Sequence, residues 1–324
     1  MSRRAVILFL ALGFAWGVPY LFIKVAMAEL TPAFLVLART GLASLLLVPL
    51  VLLSARHRAV LPELVRRWPA VLGYAVFEIV FPWFFLNRAE QTLSSSTAAI
   101  LISAVPVVGV LIALLTRQAE RLGLRGAAGL ALGTVGVAAL VGLDVNVSDL
   151  GAVAEMGIVV VGYAIGPVIL ARCLGDLPGL PVVTAGLVVT TLIYLPLVLL
   201  SGGFPSSRPS GDVLVAVAVL TVVCTASSFL LLFALIGELG PVRATTIVYL
   251  NPVVAVVAGA AFLNEKVTAW TLLGFVLVLA GSYLVNGSGR EPVSSEQISA
   301  EPVSAEAIAE PLADRSNGRS PVAG

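Results

Sequence analysis

The chain has one histidine, two cysteines and three methionines, and only 11% of its 324 residues are charged. The histidine, His57, sits in a basic stretch, so a histidine-based catalytic centre or metal cluster has nothing to build on. Cys173 and Cys224 fall within or at the edge of apolar runs and show no paired spacing, which implies neither a disulfide framework nor a metal site. No phosphate-binding glycine loop and no nucleophile motif is present. The expectation is a protein that uses no cofactor and is not an enzyme, driven by a gradient rather than by a bound nucleotide. The formal net charge of +1 leaves no footprint for nucleic acid. That charge is uneven: from Gly287 onward three arginines face six acidic residues, which leaves +4 for the remainder.

What the chain does have is apolar surface. With 59% hydrophobic residues and a mean hydropathy of +1.06, it holds more than a soluble core of this length could bury. This is the composition of a polytopic membrane protein. Ten apolar stretches lie between charged or Pro/Gly-rich breaks, at about 5–26, 33–53, 69–87, 93–115, 122–142, 150–171, 181–201, 213–236, 242–263 and 269–286. Each is near the length that crosses a hydrocarbon core as a helix. They lack the alternation of a barrel, and backbone groups in lipid must be paired within the segment, so all-α spans are expected. The first stretch ends at Ala26-Met27-Ala28, which resembles a signal-peptidase site. Its length, Trp16 and Pro19 point to a retained span instead. With the N-terminus inside, the cytoplasmic loops carry Arg56, Arg58, Arg66, Arg67, Arg117, Arg121, Arg125 and Arg172, against mainly Arg88, Arg208 and Lys266 outside. The bias places both termini in the cytoplasm of a multi-pass protein of the cell membrane.

The chain also repeats itself. Ser94–Glu120 is echoed by Gly240–Glu265: Pro106 matches Pro252 at an offset of 146, and Glu120 matches Glu265, Gly129 Gly274 and Gly136 Gly281 at 145. One deletion accounts for the difference. Pro19 and Lys24 match Pro167 and Arg172 more loosely, at 148. Ten spans in two halves give five each, and an odd number forces the halves through the membrane in opposite senses, an inverted repeat. The expected units are therefore 1–142, 143–286 and a tail, 287–324, rich in Pro, Ser, Glu and Ala and expected to be disordered.

Glu78 stands out among the polar residues. It lies near the middle of the third span, where an ionised carboxylate costs several kcal/mol unless it meets water or a partner. It is a candidate for proton coupling or for a substrate ammonium; the alternative is a structural ion pair with Arg39, about 10 Å into the second span at 1.5 Å per residue. Pro106 and Pro252 fall mid-span, where each frees a carbonyl one turn earlier. Ser103, Tyr249 and Asn251 precede them and offer polar groups at the same depth. Trp16, Tyr20, Tyr74 and Phe77 are expected to form an aromatic wall. Trp83, Phe84 and Phe85 read as an interfacial belt. Lys24, Arg88 and Glu155 read as residues that snorkel to the interface. Ser227, with Thr225 and Ser228, reads first as a small residue that lets helices approach. Gly129, Gly133, Gly136, Gly274 and Gly281 read as close-packing notches.

Two five-span halves, each with a Ser/Thr/Asn-flanked proline, an apolar run, a glutamate loop (Gln118-Ala119-Glu120; Leu263-Asn264-Glu265-Lys266) and a glycine-dotted last span, resemble the EamA-type drug/metabolite transporter family. The resemblance covers about residues 5–286 and departs at Arg243, where small residues are commoner. It implies a secondary transporter, often an exporter, working by alternating access around a central cavity. Spans one, three, four, six, eight and nine would line that cavity, with Tyr163 of span six and Ser227 of span eight among the lining residues. The implied partners are a small-molecule substrate, such as an amino acid, another metabolite or a drug, together with the lipid bilayer and, for coupling, protons at Glu78. An uncoupled facilitator or channel would share this architecture, and a membrane-embedded enzyme is the more distant alternative.

Overall fold

Hydrophobic runs of this length resolve into helices in the computed structural model of the chain, which describes residues 2–115, 124–144, 149–239, Ile247 and 250–287. Seven helical stretches among them are long and apolar enough to cross a membrane: Arg3–Ala26, Pro32–Leu53, Trp68–Ala89, Ser95–Ile112, Leu150–Cys173, Gly179–Ser201 and Gly211–Leu239. Leu124–Ala139, Asn251–Phe262 and Ala269–Leu284 are shorter apolar helices. The protein is thus an all-α polytopic membrane protein. Glu120, Tyr249, Arg243 and the expected tail beyond Gly287 lie outside the described residues. Leucines such as Leu45, Leu53 and Leu200 point outward from the helices, an arrangement that suits lipid and not water.

Side-chain caps open the helices where the sequence supplies them. Thr31 accepts from the Phe34 N–H, Ser94 from Thr97, and Ser210 from Val213, each satisfying a donor that the first turn leaves free. Proline then sets where helices break. The first span divides into Arg3–Gly17 and Pro19–Ala26 at Val18. The fourth divides into Ser95–Ile102 and Val105–Leu115, with Pro106 in the first turn of the second piece, so the expected kink is an interruption. The Ser103 carbonyl exposed at this break is taken by the Ser282 hydroxyl of the last helix at 2.8 Å. Pro252 likewise sits in the opening turn of Asn251–Phe262. Pro167 behaves differently, lying inside the unbroken Leu150–Cys173 helix.

Two further turns depart from α geometry without breaking. Val76–Val80 and Val222–Ser227 are π-helical, and their first residues are 146 apart, the interval that aligns Pro106 with Pro252. Each has a local cause. Pro82 has no N–H for the Glu78 carbonyl, and its ring crowds that carbonyl, so the preceding turn widens. In the second turn the Thr225 hydroxyl donates to the Leu220 carbonyl five residues back, at 2.8 Å.

Apolar side chains gather in three clusters. One centres on Leu101, Met156 and Leu220, a second on Leu47, Leu187 and Trp83, and a small third on Leu12, Leu235 and Ile247. The Leu124–Asp144 and Ala269–Gly287 helices cross at glycine: a Cβ on Gly136 would lie 2.8 Å from the Val278 nitrogen, and one on Gly281 would lie 2.7 Å from the Gly133 Cα. Gly136 and Gly281 are therefore contact points where no side chain fits, and a Cβ on Gly133 would collide with Val107.

Candidate functional site

The π-turn at Val76–Val80 seats Glu78 against the Leu150–Cys173 helix, where two glycines one turn apart leave room for it. A Cβ on Gly162 would meet the Phe77 carbonyl and the Pro82 ring, and one on Gly166 would collide with the Glu78 carboxylate. Glu78 is half-buried, and its sealed Oε2 accepts no hydrogen bond from any described residue. Tyr74, one helical turn before Glu78, is buried. Tyr163 packs between the first and second apolar clusters, within the fields of both Glu78 and Arg39. Glu78, Tyr74 and Tyr163 thus form one interior group.

Arg39 lies near that group without pairing to Glu78, so the alternative reading of Glu78 as half of a structural ion pair has no counterpart among the described residues. Its guanidinium lies 3.8 Å over the Trp83 ring. Nε donates to Thr225 Oγ1 at 2.7 Å, and Nη2 makes a long 3.4 Å contact to the Cys224 carbonyl. The second π-turn therefore presents neutral acceptors to a cation, while the first presents a carboxylate. Trp83 is buried under Arg39 and is not the interfacial belt residue its position suggested, because an interior cation offers its indole face a better partner than the headgroup region does. Thr225, read as a packing residue, holds the guanidinium. The available signal was a lone basic residue well inside a span, facing an aromatic in the next.

The other expected site residues fall elsewhere. Trp16 meets Phe229 edge-on at 6.5 Å and packs on the third cluster. A Cβ on its neighbour Gly17 would lie 3.0 Å from the Asn251 carbonyl and collide with Val254, so the first helix meets the start of the Asn251–Phe262 helix, which holds Asn251 and Pro252, at Gly17. Asn251 Oδ1 is buried there with no hydrogen bond from a described residue. Ser103 is buried beside Pro106, its hydroxyl donating to the Ile100 carbonyl at 2.5 Å. Ser227 closes the second π-turn.

Polar contacts fasten the helix ends. At one end Lys24 Nζ reaches the Glu90 and Leu93 carbonyls at 2.6 and 2.8 Å, and Arg88 pairs with Glu155 at 2.8 Å. These are specific bonds rather than snorkelling. Glu90, which the sequence reading passed over, is wholly buried there, and neither of its carboxyl oxygens accepts a hydrogen bond from a described residue. Glu265 receives four hydrogen bonds, from the N–H and hydroxyl of Ser95 (2.7 and 2.7 Å) and of Ser96 (3.1 and 2.6 Å). Asn264, at φ 53°, reverses the chain so that the carboxylate can reach this helix start. Burial works to raise the Glu265 carboxyl, but the bonds from Ser96 and Ser95 outweigh it and hold it below its ordinary 4.5. A cavity of about 230 Å³ opens beside it, lined by Thr92, Leu93, Ser94, Thr97, Asp149, Lys266 and Thr268.

At the other end Arg67 donates from Nη1 and Nη2 to the two Asp176 carboxylate oxygens, at 2.7 and 2.9 Å, and pairs through Nε with Glu63. Hydrogen bonds from Arg66 and Arg67 hold Glu63 below the usual carboxylate range, and Arg67 does the same for Asp176. Arg4 pairs with Glu238 at 3.3 Å.

Known proteins share this architecture. The model of the EamA-like transporter family matches residues 3–142 and again 154–287. An uncharacterized transporter, YvbV, of Bacillus subtilis is 25% identical over 287 residues, 88% of this chain and 92% of its own. An uncharacterized transporter of Archaeoglobus fulgidus is 23% identical over 284 residues, 87% of this chain and 98% of its own. A solved crystal structure superposes with a TM-score of 0.58 at 17% identity, over 88% of this chain and 96% of that one, a likeness of fold alone. The chain belongs to the EamA-like transporter family, within the drug/metabolite transporter superfamily, and is a multi-pass membrane transporter of small molecules.

Proposed function

We propose that the chain is a secondary active exporter that moves small organic metabolites across the cytoplasmic membrane by alternating access, with proton coupling at Glu78. In this reading ten helices form two inverted five-helix repeats, both termini are cytoplasmic, and the substrate passes through unchanged by chemistry. The observation that carries it is the pair of π-turns, 146 residues apart, one of which carries Glu78 and the other the acceptors of the buried Arg39. Turns of this kind recur at functional sites, and an interior ionisable residue in a membrane protein marks a pathway by default. The double match of the family model supports the repeat.

The polar contacts at both helix ends fit a protein that must close on one side before it opens on the other. Purified protein in liposomes, screened over amino acids, other metabolites and cationic drugs with an imposed pH gradient, tests the reading. Accumulation against a gradient that collapses with the proton gradient is the expected result. Equilibration without accumulation would make the protein a facilitator, and turnover without translocation would make it an enzyme.

A further inference from the structure

Arg39 is 7% exposed, and no acidic side chain lies within 4.0 Å of it among the described residues. Every hydrogen-bond and ring partner it has among the described residues is neutral. Trp83 covers one face, Thr225 takes Nε, and the Cys224 carbonyl makes a long contact to Nη2. Nη1 donates to no described group, so part of the donor fork is uncommitted. A guanidinium has five donors in a rigid plane that matches a carboxylate, and a charge held in a low-dielectric interior gains most from a counter-ion.

The surroundings fix that plane. Trp83 sets its tilt, and Thr225, whose own proton goes to the Leu220 carbonyl, is left with its lone pairs toward Arg39 and sets its rotation. The other titratable groups acting on Arg39 are Tyr20, Tyr163, Cys224 and Glu90, and Glu90 is the one acid among them. Tyr163 packs against both the first and the second apolar clusters, and Trp83 belongs to the second.

We propose that Arg39 anchors a subsite for the carboxylate of an organic substrate, with Trp83 and Thr225 as its positioning residues. The proposal rests on the transporter reading and deepens it by assigning the charge of the substrate group that enters. Its test is binding, which needs no transport. The purified full-length protein in nanodiscs is titrated by calorimetry with acetate, hexanoate, benzoate and N-acetylphenylalanine, each against its neutral amide.

At least one carboxylate binds about tenfold or more tighter than its amide, as expected for a charge-assisted hydrogen bond. Arg39→Gln abolishes that preference. Arg39→Lys, which keeps the charge but loses the fork, and Thr225→Val, which keeps Arg39 but frees its orientation, each reduce it; these two decide the question if the glutamine variant does not fold. Equal affinity for every acid and its amide overturns the proposal. So does a preference that survives both Arg39→Lys and Thr225→Val. A carboxylate preference in a protein that moves nothing in liposomes leaves the subsite standing and removes the transporter reading. Transport that is indifferent to Arg39→Lys and to substrate carboxylates does the reverse.

Discussion

The two widened turns share a backbone irregularity and differ in charge. Val76–Val80 presents Glu78, a carboxylate whose sealed oxygen meets no hydrogen-bond donor among the described residues, while Val222–Ser227 presents Cys224 and Thr225, which hold the Arg39 cation. They reach the same shape by different means. Pro82 withdraws a donor from the first, and a threonine hydroxyl occupies the spare carbonyl of the second. The comparison teaches that two turns of the same backbone form can carry different side chains, a carboxylate in one and neutral acceptors for a cation in the other.

The largest effect expected from disturbing these turns comes from Gly162→Val. A Cβ there meets the Phe77 backbone carbonyl, which cannot swing aside as a side chain can, so the first π-turn must move. Overpacking of this kind costs about 1–3 kcal/mol, and thermal unfolding of the detergent-purified variant should begin several degrees lower, with transport lost. The equivalent disturbance of the second turn is Thr225→Val. It leaves the Arg39 Nε without its acceptor and should cost about 1–3 kcal/mol, measured the same way, with Thr225→Ser restoring most of it.

A smaller effect sharpens the contrast between two carboxylates. Glu78 has no donor at its sealed oxygen among the described residues, whereas Glu265 has four at a helix start, and Glu265→Gln should cost about 1 kcal/mol, as loss of a helix cap does. Because the folded Glu265 carboxyl lies below its ordinary 4.5, its contribution is present above that value and is lost as pH falls through the lowered one. The wild-type protein should therefore lose stability relative to the Glu265→Gln variant on acidification below 4.5, and the two melting curves should converge.

Much of this architecture was legible in the sequence because hydrophobic run length and helix are tightly linked in lipid. Pro106 marked the interruption of the fourth apolar stretch and Pro252 the opening turn of Asn251–Phe262, although the Ser103 carbonyl at the first break is met by Ser282, a residue 179 positions away that no local pattern announces. Glu78 was visible as an acid within a span. Its neighbours were not, because which face of a helix meets which partner is decided by crossing geometry. Arg39 looked like a counter-ion for Glu78 on depth alone, and Trp83 looked interfacial on proximity to the span end. Glu90 and Glu265 lay at helix ends, where acids usually meet water, so nothing in the sequence marked one as wholly buried and the other as a cap.

The most direct test of the account is Glu78→Gln, which removes the charge at nearly constant shape. The purified variant, reconstituted in liposomes and compared with wild type across the neutral pH range, should lose proton-driven accumulation and the pH dependence of its rate while still binding substrate. An unchanged rate with an unchanged pH profile would contradict a coupling role for Glu78.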